Sequence, residues 1–229
     1  MPHTLSTCLG AVALVSLLVA TPALSEQGDH AHDHDHDHAE ESHAAHGHDH
    51  GSDAIYNGYF EDSQIEDRTL ADWQGDWQSV YPYLMDGTLA PVMAHKAETG
   101  AMGAEEYRAY YETGYATGVD RIVIDGDSFT FFEDGAEYGG SYTYDGYEVL
   151  TYEKGNRGVR YIFAKDEGDA EAPDFVQFSD HAIAPQDAGH YHLYWGDDRA
   201  ALLDEVTNWP TYYPSDMSGR EIVDEMLAH

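Results

Sequence analysis

Short runs of alternating apolar and polar residues are the feature that most restricts how this chain can fold. They fill the sequence from Gly118 onward, and pairs such as Asp134-Gly135 and Asp145-Gly146 separate them. Successive side chains of a strand point to opposite faces, so alternation indicates half-buried strands, and Asp-Gly pairs favour hairpin turns. Hairpin-linked strands this closely spaced predict an antiparallel barrel or sandwich, and a barrel has no open sheet edge. The predicted strands are residues 121–124, 128–133, 139–144, 147–152, 160–165, 175–179 and 190–196.

Helical patterns flank these strands on both sides. Apolar residues recur at helical spacing before the strands, and Ser218 and Glu221 form a capping box that begins a last helix. The chain is therefore predicted to be mainly β, in the α+β class, with added helices. The other predicted elements are a first strand at 73–81, an interrupted helix at 84–113, a helix at 197–206 and a loop at 208–214.

Three histidines, His181, His190 and His192, lie within twelve residues. In a strand, His190 and His192 share a face while Tyr191 points the opposite way. Turn-forming residues between 182 and 189 predict a tight reversal, which would bring His181 back beside the pair. Three imidazoles on adjacent strands suit zinc, with a fourth position left for water or a partner. The alternative is that each is a histidine hydrogen-bonded in a core, which is the usual role of an isolated buried histidine.

Residues 29–50 are also rich in side chains that can bind a metal ion. They contain nine histidines among Asp and Glu, with no Lys or Arg. So little apolar surface cannot offset the loss of chain entropy, so we expect residues 26–53 to be a disordered tail. Imidazoles and carboxylates both bind divalent cations, so the tail is predicted to capture metal weakly in many geometries. An acidic linker that happens to be rich in histidine is the alternative.

Residues 1–25 predict a signal peptide. The apolar stretch within them is too short to span a bilayer comfortably, and Ala23-Leu24-Ser25 fits a signal peptidase site. Cys8, the one cysteine, lies inside this leader, so the exported protein is predicted to have no disulfide. An uncleaved anchor is the competing interpretation, since the leader begins without Lys or Arg.

The formal net charge of −34 restricts the possible partners. The nine acidic residues of the tail explain only part of it, because acids outnumber bases more than threefold in residues 54–229, the predicted folded domain. Nucleic acid and anionic membrane both need a basic surface, so neither is an expected partner. Attraction of cations or of a basic partner is favoured; solubility in a saline medium would explain the same charge.

Other catalytic chemistry is weakly supported. Ser179, Asp180 and His181 are triad residue types, but neighbours along one strand point apart. No nucleophile elbow, phosphate loop, dinucleotide-binding glycine pattern or H-E-x-x-H helix occurs in the sequence. His95 and His229 are expected to be exposed, and either would supply only a weak extra ligand.

Several stretches together resemble the ZinT family, also called YodA-like, of bacterial periplasmic zinc-binding proteins. They are RTLADWQGDWQSVYPYL, YETGYAT, YTYDGYEVLTY, GVRYIF, QFSDHAIAP with HYH, and NWPTYYP, and they run in order from about Asn57 to His229. The resemblance implies a calycin or lipocalin-like barrel with an added helical part. It also implies a buried metal site whose three histidines correspond to His181, His190 and His192.

The function implied by the resemblance is zinc recruitment in the periplasm under scarcity. Such a protein delivers zinc to the zinc ABC importer through its solute-binding component, ZnuA, and also binds cadmium. Relatives with a cysteine pair in the barrel would carry it near Gly140 and Ala164, where this chain has none. The chain is therefore predicted not to be an enzyme, with a zinc-dependent hydrolase or hydratase as the alternative. A small-molecule carrier is a further alternative, which would need an open apolar cavity.

Overall fold

The structure is a computed structural model, and it describes residues 50–152 and 154–228. The predicted signal peptide and nearly all of the predicted tail lie outside these residues. Within them, no helix has the length and apolar character needed to cross a membrane.

Eight antiparallel strands close into a barrel in which each strand pairs with its neighbours in sequence order. Closure is made by β1 and β8, where Gln78 lies opposite Tyr213. The predicted barrel is therefore confirmed. The strands are β1 Gly75–Ser79, β2 Val119–Asp125, β3 Ser128–Glu133, β4 Ala136–Thr151, β5 Arg157–Gly168, β6 Phe175–Ser179, β7 Tyr191–Gly196 and β8 Thr211–Pro214.

The prediction of a turn at Asp145-Gly146 is wrong. The two strands predicted on either side of it are one long strand, β4, with a bulge at this pair. Tyr144 pairs with Phe163 and Tyr147 with Tyr161, so two residues of β4 oppose one of β5. Gly146 has a φ of 93°, which glycine adopts readily, and the ladder then resumes in register.

The prediction of a loop at 208–214 is also wrong, because it contains β8. Pro210 precedes this four-residue strand and Pro214 is its last residue, so the segment has the composition of a loop. Its alternation is nevertheless strict: Tyr212 packs inside the barrel, and Tyr213 packs on the outside against the helices. The strand that closes the barrel is thus also the strand that joins the barrel to the helical part.

Helices cover one side of the barrel wall and form a second apolar core there. The predicted helix at 84–113 is three helices, because the chain turns at 86–89 and again at 100–103. The predicted capping box is confirmed, since the backbone N–H of Glu221 donates to Ser218 Oγ at 3.3 Å and that of Ser218 to the Glu221 carboxylate at 2.8 Å. The helices are α1 His50–Tyr56, α2 Tyr81–Met85, α3 Ala90–Thr99, α4 Ala104–Tyr115, α5 Arg199–Asp204 and α6 Gly219–Ala228.

Candidate metal site

His181, His190 and His192 come together in a nearly equilateral triangle. Their ring centres are 6.2 Å apart for His181 and His190, 6.0 Å for His181 and His192, and 6.2 Å for His190 and His192. A cavity of about 340 Å³ is lined by all three rings and by residues of α4, β8 and α6. The sequence prediction that these three side chains meet agrees with this geometry.

His192 lies in β7 and His190 directly precedes it, and their two rings point to the same side. Tyr191, the residue between them, is fully buried in the barrel interior, so His190 and His192 face outward toward the helices. The His190 ring stacks on Tyr213 of β8 with ring centres 5.0 Å apart. The cluster therefore lies outside the barrel wall, between the sheet and the helical layer, and the barrel interior is filled by aromatic side chains.

The predicted tight reversal between His181 and the H-Y-H pair is wrong. Strand β6 ends at Ser179, opposite His192, and residues 180–190 form a long loop before β7. His181 lies in this loop with a φ of 65°, a left-handed backbone conformation that is uncommon outside glycine. The third imidazole is therefore positioned by a loop, and the contacts of that loop decide where it stands.

Buried Arg68 holds this loop against the barrel. Its Nη1 donates to the Asp180 carboxylate at 2.7 Å, its Nε to Asp72 at 2.6 Å, and its Nη2 to the Gln186 carbonyl at 2.9 Å. The guanidinium also stacks over Trp73, 4.0 Å from the ring centre. One side chain thus ties Asp180, the neighbour of His181, and the middle of the loop to the same point.

Each of the three imidazoles has an oxygen partner at Nδ1. The partners are the Tyr56 carbonyl at 3.1 Å from His181, the Glu225 carboxylate at 3.2 Å from His190, and the Thr211 hydroxyl at 2.7 Å from His192. A carbonyl and a carboxylate only accept, and Thr211 Oγ1 already donates to the Trp209 carbonyl. Nδ1 therefore carries the proton in each ring, which leaves the lone pair on Nε2.

These oxygen partners come from three different elements, and sequence reasoning missed all of them. A backbone carbonyl such as that of Tyr56 has no sequence signature, and Thr211 lies in the strand that was predicted as a loop. Glu225 lies on α6, far from the histidines in sequence, and its other oxygen accepts the Tyr213 hydroxyl at 2.5 Å. Carboxylates and carbonyls at the second nitrogen are the usual outer partners of metal-binding histidines.

The surroundings keep His192 neutral. Burial, reinforced by the nearby His190, His181 and Arg160, holds the pKa of His192 well below its usual value of 6.5. A neutral imidazole is the form that binds a metal ion. The pKa of Tyr213, by contrast, is raised by burial and by its hydrogen bond to the Glu225 carboxylate.

The triangle is slightly wider than a closed metal site. Zinc at 2.0–2.1 Å from three imidazole nitrogens would bring the ring centres to about 5–5.5 Å. In residues 50–152 and 154–228, no three His, Cys, Asp or Glu side chains lie close enough together to hold a metal ion without moving. The rings would have to approach by somewhat under 1 Å, and His181, on its loop, is the ring least restrained by the sheet.

Among the described residues, the other predicted candidates do not join the cluster. His95 lies on α3 with its side chain 54% exposed, beside Glu98. His229 lies outside the described residues. Ser179, Asp180 and His181 do not form a triad, because Asp180 is bound to Arg68 and the Nδ1 of His181 to the Tyr56 carbonyl.

Together, the fold and the cluster define a class: a closed eight-stranded antiparallel barrel with a three-histidine cluster between its wall and a helical layer. The chain belongs to the ZinT (YodA) family, described as periplasmic lipocalin-like zinc-recruitment, whose model matches residues 51–229. The resemblance to this family and the lipocalin-like barrel are thereby confirmed.

Named relatives and solved structures support the same assignment. The chain is 63% identical over 179 residues to the probable metal-binding protein YrpE of Bacillus subtilis (strain 168), which covers 78% of this chain and 71% of YrpE. It is 55% identical over 180 residues to the zinc-binding protein AdcA of Streptococcus pyogenes serotype M1, which covers 76% of this chain and 35% of AdcA. The Zn(II)-bound ZinT-like domain of Streptococcus pneumoniae AdcA matches with a TM-score of 0.74 at 49% identity, over 76% of this chain and 97% of that domain. The chain thus spans about a third of the AdcA protein.

Proposed function

We propose that this chain binds one zinc ion tightly through Nε2 of His181, His190 and His192. The observation that carries the proposal is that all three clustered rings have an oxygen partner at Nδ1, which leaves Nε2 as the basic nitrogen in each. Three neutral nitrogen ligands with an open fourth position suit zinc. The names of YrpE and AdcA, and the zinc in the matching AdcA domain, support this choice of metal.

The wider role that we propose is zinc recruitment outside the cytoplasm. The family description, periplasmic zinc-recruitment, and the predicted signal peptide at residues 1–25 both support this location. The protein would pass its zinc to the solute-binding component (ZnuA) of the zinc ABC importer. Cadmium, a softer ion of the same charge and preferred geometry, is the second metal that we expect the site to accept.

An open coordination position gives this transfer a chemical route. A ligand from the partner can enter the fourth position before any histidine leaves, so the ion never has to pass through free solution. Zinc-loaded protein mixed with the metal-free solute-binding partner should therefore lose zinc faster than with a non-contacting chelator of equal affinity. Stopped-flow detection with a zinc-sensitive dye measures both rates, and equal rates would reduce the role to buffering.

The zinc-dependent hydrolase or hydratase is the second candidate, since an open position next to three histidines also suits a bound water. Glu225 contacts His190 and accepts a hydrogen bond from the Tyr213 hydroxyl, so it is engaged in holding a ligand ring. We therefore favour binding over catalysis. Assays of ester hydrolysis and carbon dioxide hydration, with the triple histidine variant as the blank, decide between the two.

Replacing Thr211 with valine should weaken zinc binding without unfolding the barrel. Valine keeps the shape of threonine but removes the oxygen that accepts from His192 Nδ1, so the ring loses its orientation and some basicity. Loss of such an outer partner typically costs about 10- to 100-fold in metal affinity. Competition titration measures the effect. Thr113→Val, at an exposed threonine on α4, is the matched control and should leave the affinity unchanged.

Deleting residues 29–49 should remove several weak sites and keep one tight site. The deletion ends before α1, which begins at His50. The sequence predicts a disordered tail, whose ligands would have to be ordered when they chelate a metal, whereas the three histidines at the barrel are already clustered. Calorimetry counts the two classes, and replacing the tail histidines with serine at constant length controls for the deletion itself. Loss of the tight class with the tail would make the tail the primary receptor.

A further inference from the structure

A second cavity, of about 450 Å³, adjoins the histidine cluster and differs from it in charge. His181 and His192 are among its lining residues, and so are Arg157 and Arg160. None of the described residues that line it is Asp or Glu. In a chain with 44 acidic residues and only ten Lys and Arg, a cavity with two arginines and no lining carboxylate is an exception that calls for a physical reason.

Arg160 is the unusual member of this lining. It is 1% exposed, and its hydrogen-bond partners among the described residues are backbone carbonyls and the Tyr152 side chain rather than carboxylates. Its Nη1 and Nη2 donate to the carbonyls of Leu202 and Glu205 at 3.2 and 3.0 Å, and its Nε has no hydrogen-bond partner. The guanidinium lies over the Tyr194 ring, 3.2 Å from its centre. A buried cation is normally paired with an anion, and an unmet donor on one is costly.

The other charged groups near this cavity already have partners. Arg157 forms an ion pair with Asp62. Glu205, whose charge acts on Arg160, has its carboxylate bound to the backbone of Thr207 at 2.6 Å and of Asn208 at 2.9 Å. Neither group neutralises Arg160 directly, so the excess positive charge of the cavity is concentrated at this residue.

Metal binding would increase this excess. Three neutral imidazoles leave both charges of a divalent ion uncompensated, and Arg160 and His192 line the same cavity. The ion and the guanidinium would then face one cavity with the same sign of charge. Glu225, beside His190, offsets part of this charge.

We propose that this cavity binds a small carboxylate, which pairs with Arg160 and occupies the open coordination position of the metal held by His181, His190 and His192. The inference rests on the proposed function, because it assigns the fourth ligand of that same site. A carboxylate suits both groups: one oxygen can accept from the unmet Nε–H of Arg160, and the other oxygen is a good ligand for a divalent ion. Zinc would then be held as a ternary complex, and a partner would displace the carboxylate before any histidine.

Cobalt(II) absorbance provides the test, because the visible bands of cobalt change with its ligands. The protein is titrated with cobalt in a buffer without carboxylates, and the spectrum of the triple histidine variant is subtracted to remove the contribution of the tail. Millimolar acetate should then shift the bands and raise the apparent cobalt affinity several-fold. Chloride at equal concentration should do neither.

Variants locate the effect at Arg160. Arg160→Gln should abolish the response to acetate, whereas Arg157→Gln, at the other arginine of the cavity, should retain it. Because Arg160 also bonds the end of α5, circular dichroism checks the fold of the variant. A wild-type measurement needs no variant: bound cobalt should broaden the carboxyl signal of 13C-acetate, and the triple histidine variant should not.

Each result bears on one proposal or the other. If the wild type shows no cobalt bands beyond the triple variant, the proposed zinc site itself fails. If bands appear but acetate neither shifts them nor is broadened, the site stands and the carboxylate inference is overturned. An acetate response of equal size in Arg160→Gln, or with chloride, would show simple ligand exchange at the metal and would also overturn it.

Discussion

Replacing His181, His190 and His192 together with alanine should abolish tight zinc binding and leave the barrel folded. All three rings lie outside the barrel wall, so their removal does not disturb the aromatic core inside it. Without nitrogen ligands only weak, water-rich coordination remains, and we expect the affinity to fall by more than about 1000-fold.

The measurement needs a background free of the tail. In the chain lacking residues 29–49, zinc counted by native mass spectrometry should change from one ion to none, and circular dichroism should stay unchanged. His95→Ala, which removes an exposed histidine from α3, is the matched control and should keep the ion. A triple variant that still holds one zinc ion tightly would disprove the assignment of the site.

Replacing Arg68 with methionine should cause the largest loss of stability. Arg68 is fully buried, and the side chain of its partner Asp180 is 1% exposed, so the change leaves a buried carboxylate without its cation. Breaking a buried pair in this way costs about 3–5 kcal/mol. For a domain of this size that loss lowers Tm by roughly 10 °C.

The same variant should also weaken zinc binding, because the loop that carries His181 is no longer fixed at its centre. Thermal unfolding and a zinc competition titration measure the two effects. Arg108→Met breaks an exposed pair with Glu112 on α4, so it should change stability by less than about 1 kcal/mol and leave zinc binding unaffected. Equal stability of Arg68→Met and the wild type would show that the network is dispensable.

The strands were predictable where side-chain alternation is regular. The prediction was wrong where one residue interrupts the alternation. Ser128–Glu133 and Phe175–Ser179 were located to the residue. The Asp145-Gly146 pair is typical of a turn. Pairing with β5 before and after it nevertheless keeps β4 continuous, with a bulge at this pair. Strand β8 follows one proline and ends in another, and only its pairing with β1 and β7 makes it a strand.

The candidate ligands were predictable because imidazole spacing is visible in a sequence, whereas the groups that orient them are not. His190 and His192 share a face as a direct result of strand geometry. The position of His181 depends on Arg68, more than a hundred residues earlier in the chain. Carbonyl oxygens, such as that of Tyr56, are contributed by any residue type, so no pattern marks them.

The Nδ1 partners of the cluster also bear on when the site comes into existence. Tyr56 precedes His181 by 125 residues, and Glu225 lies in the last helix of the described chain. Long-range contacts of this kind form late, since the chain entropy that they cost is recovered only when the whole barrel closes. A partly synthesised or still unfolded chain would therefore lack the oriented histidines. The ion should be bound tightly only once folding is complete. The fraction of chains that carry a tightly bound metal ion would then measure the fraction that is fully folded.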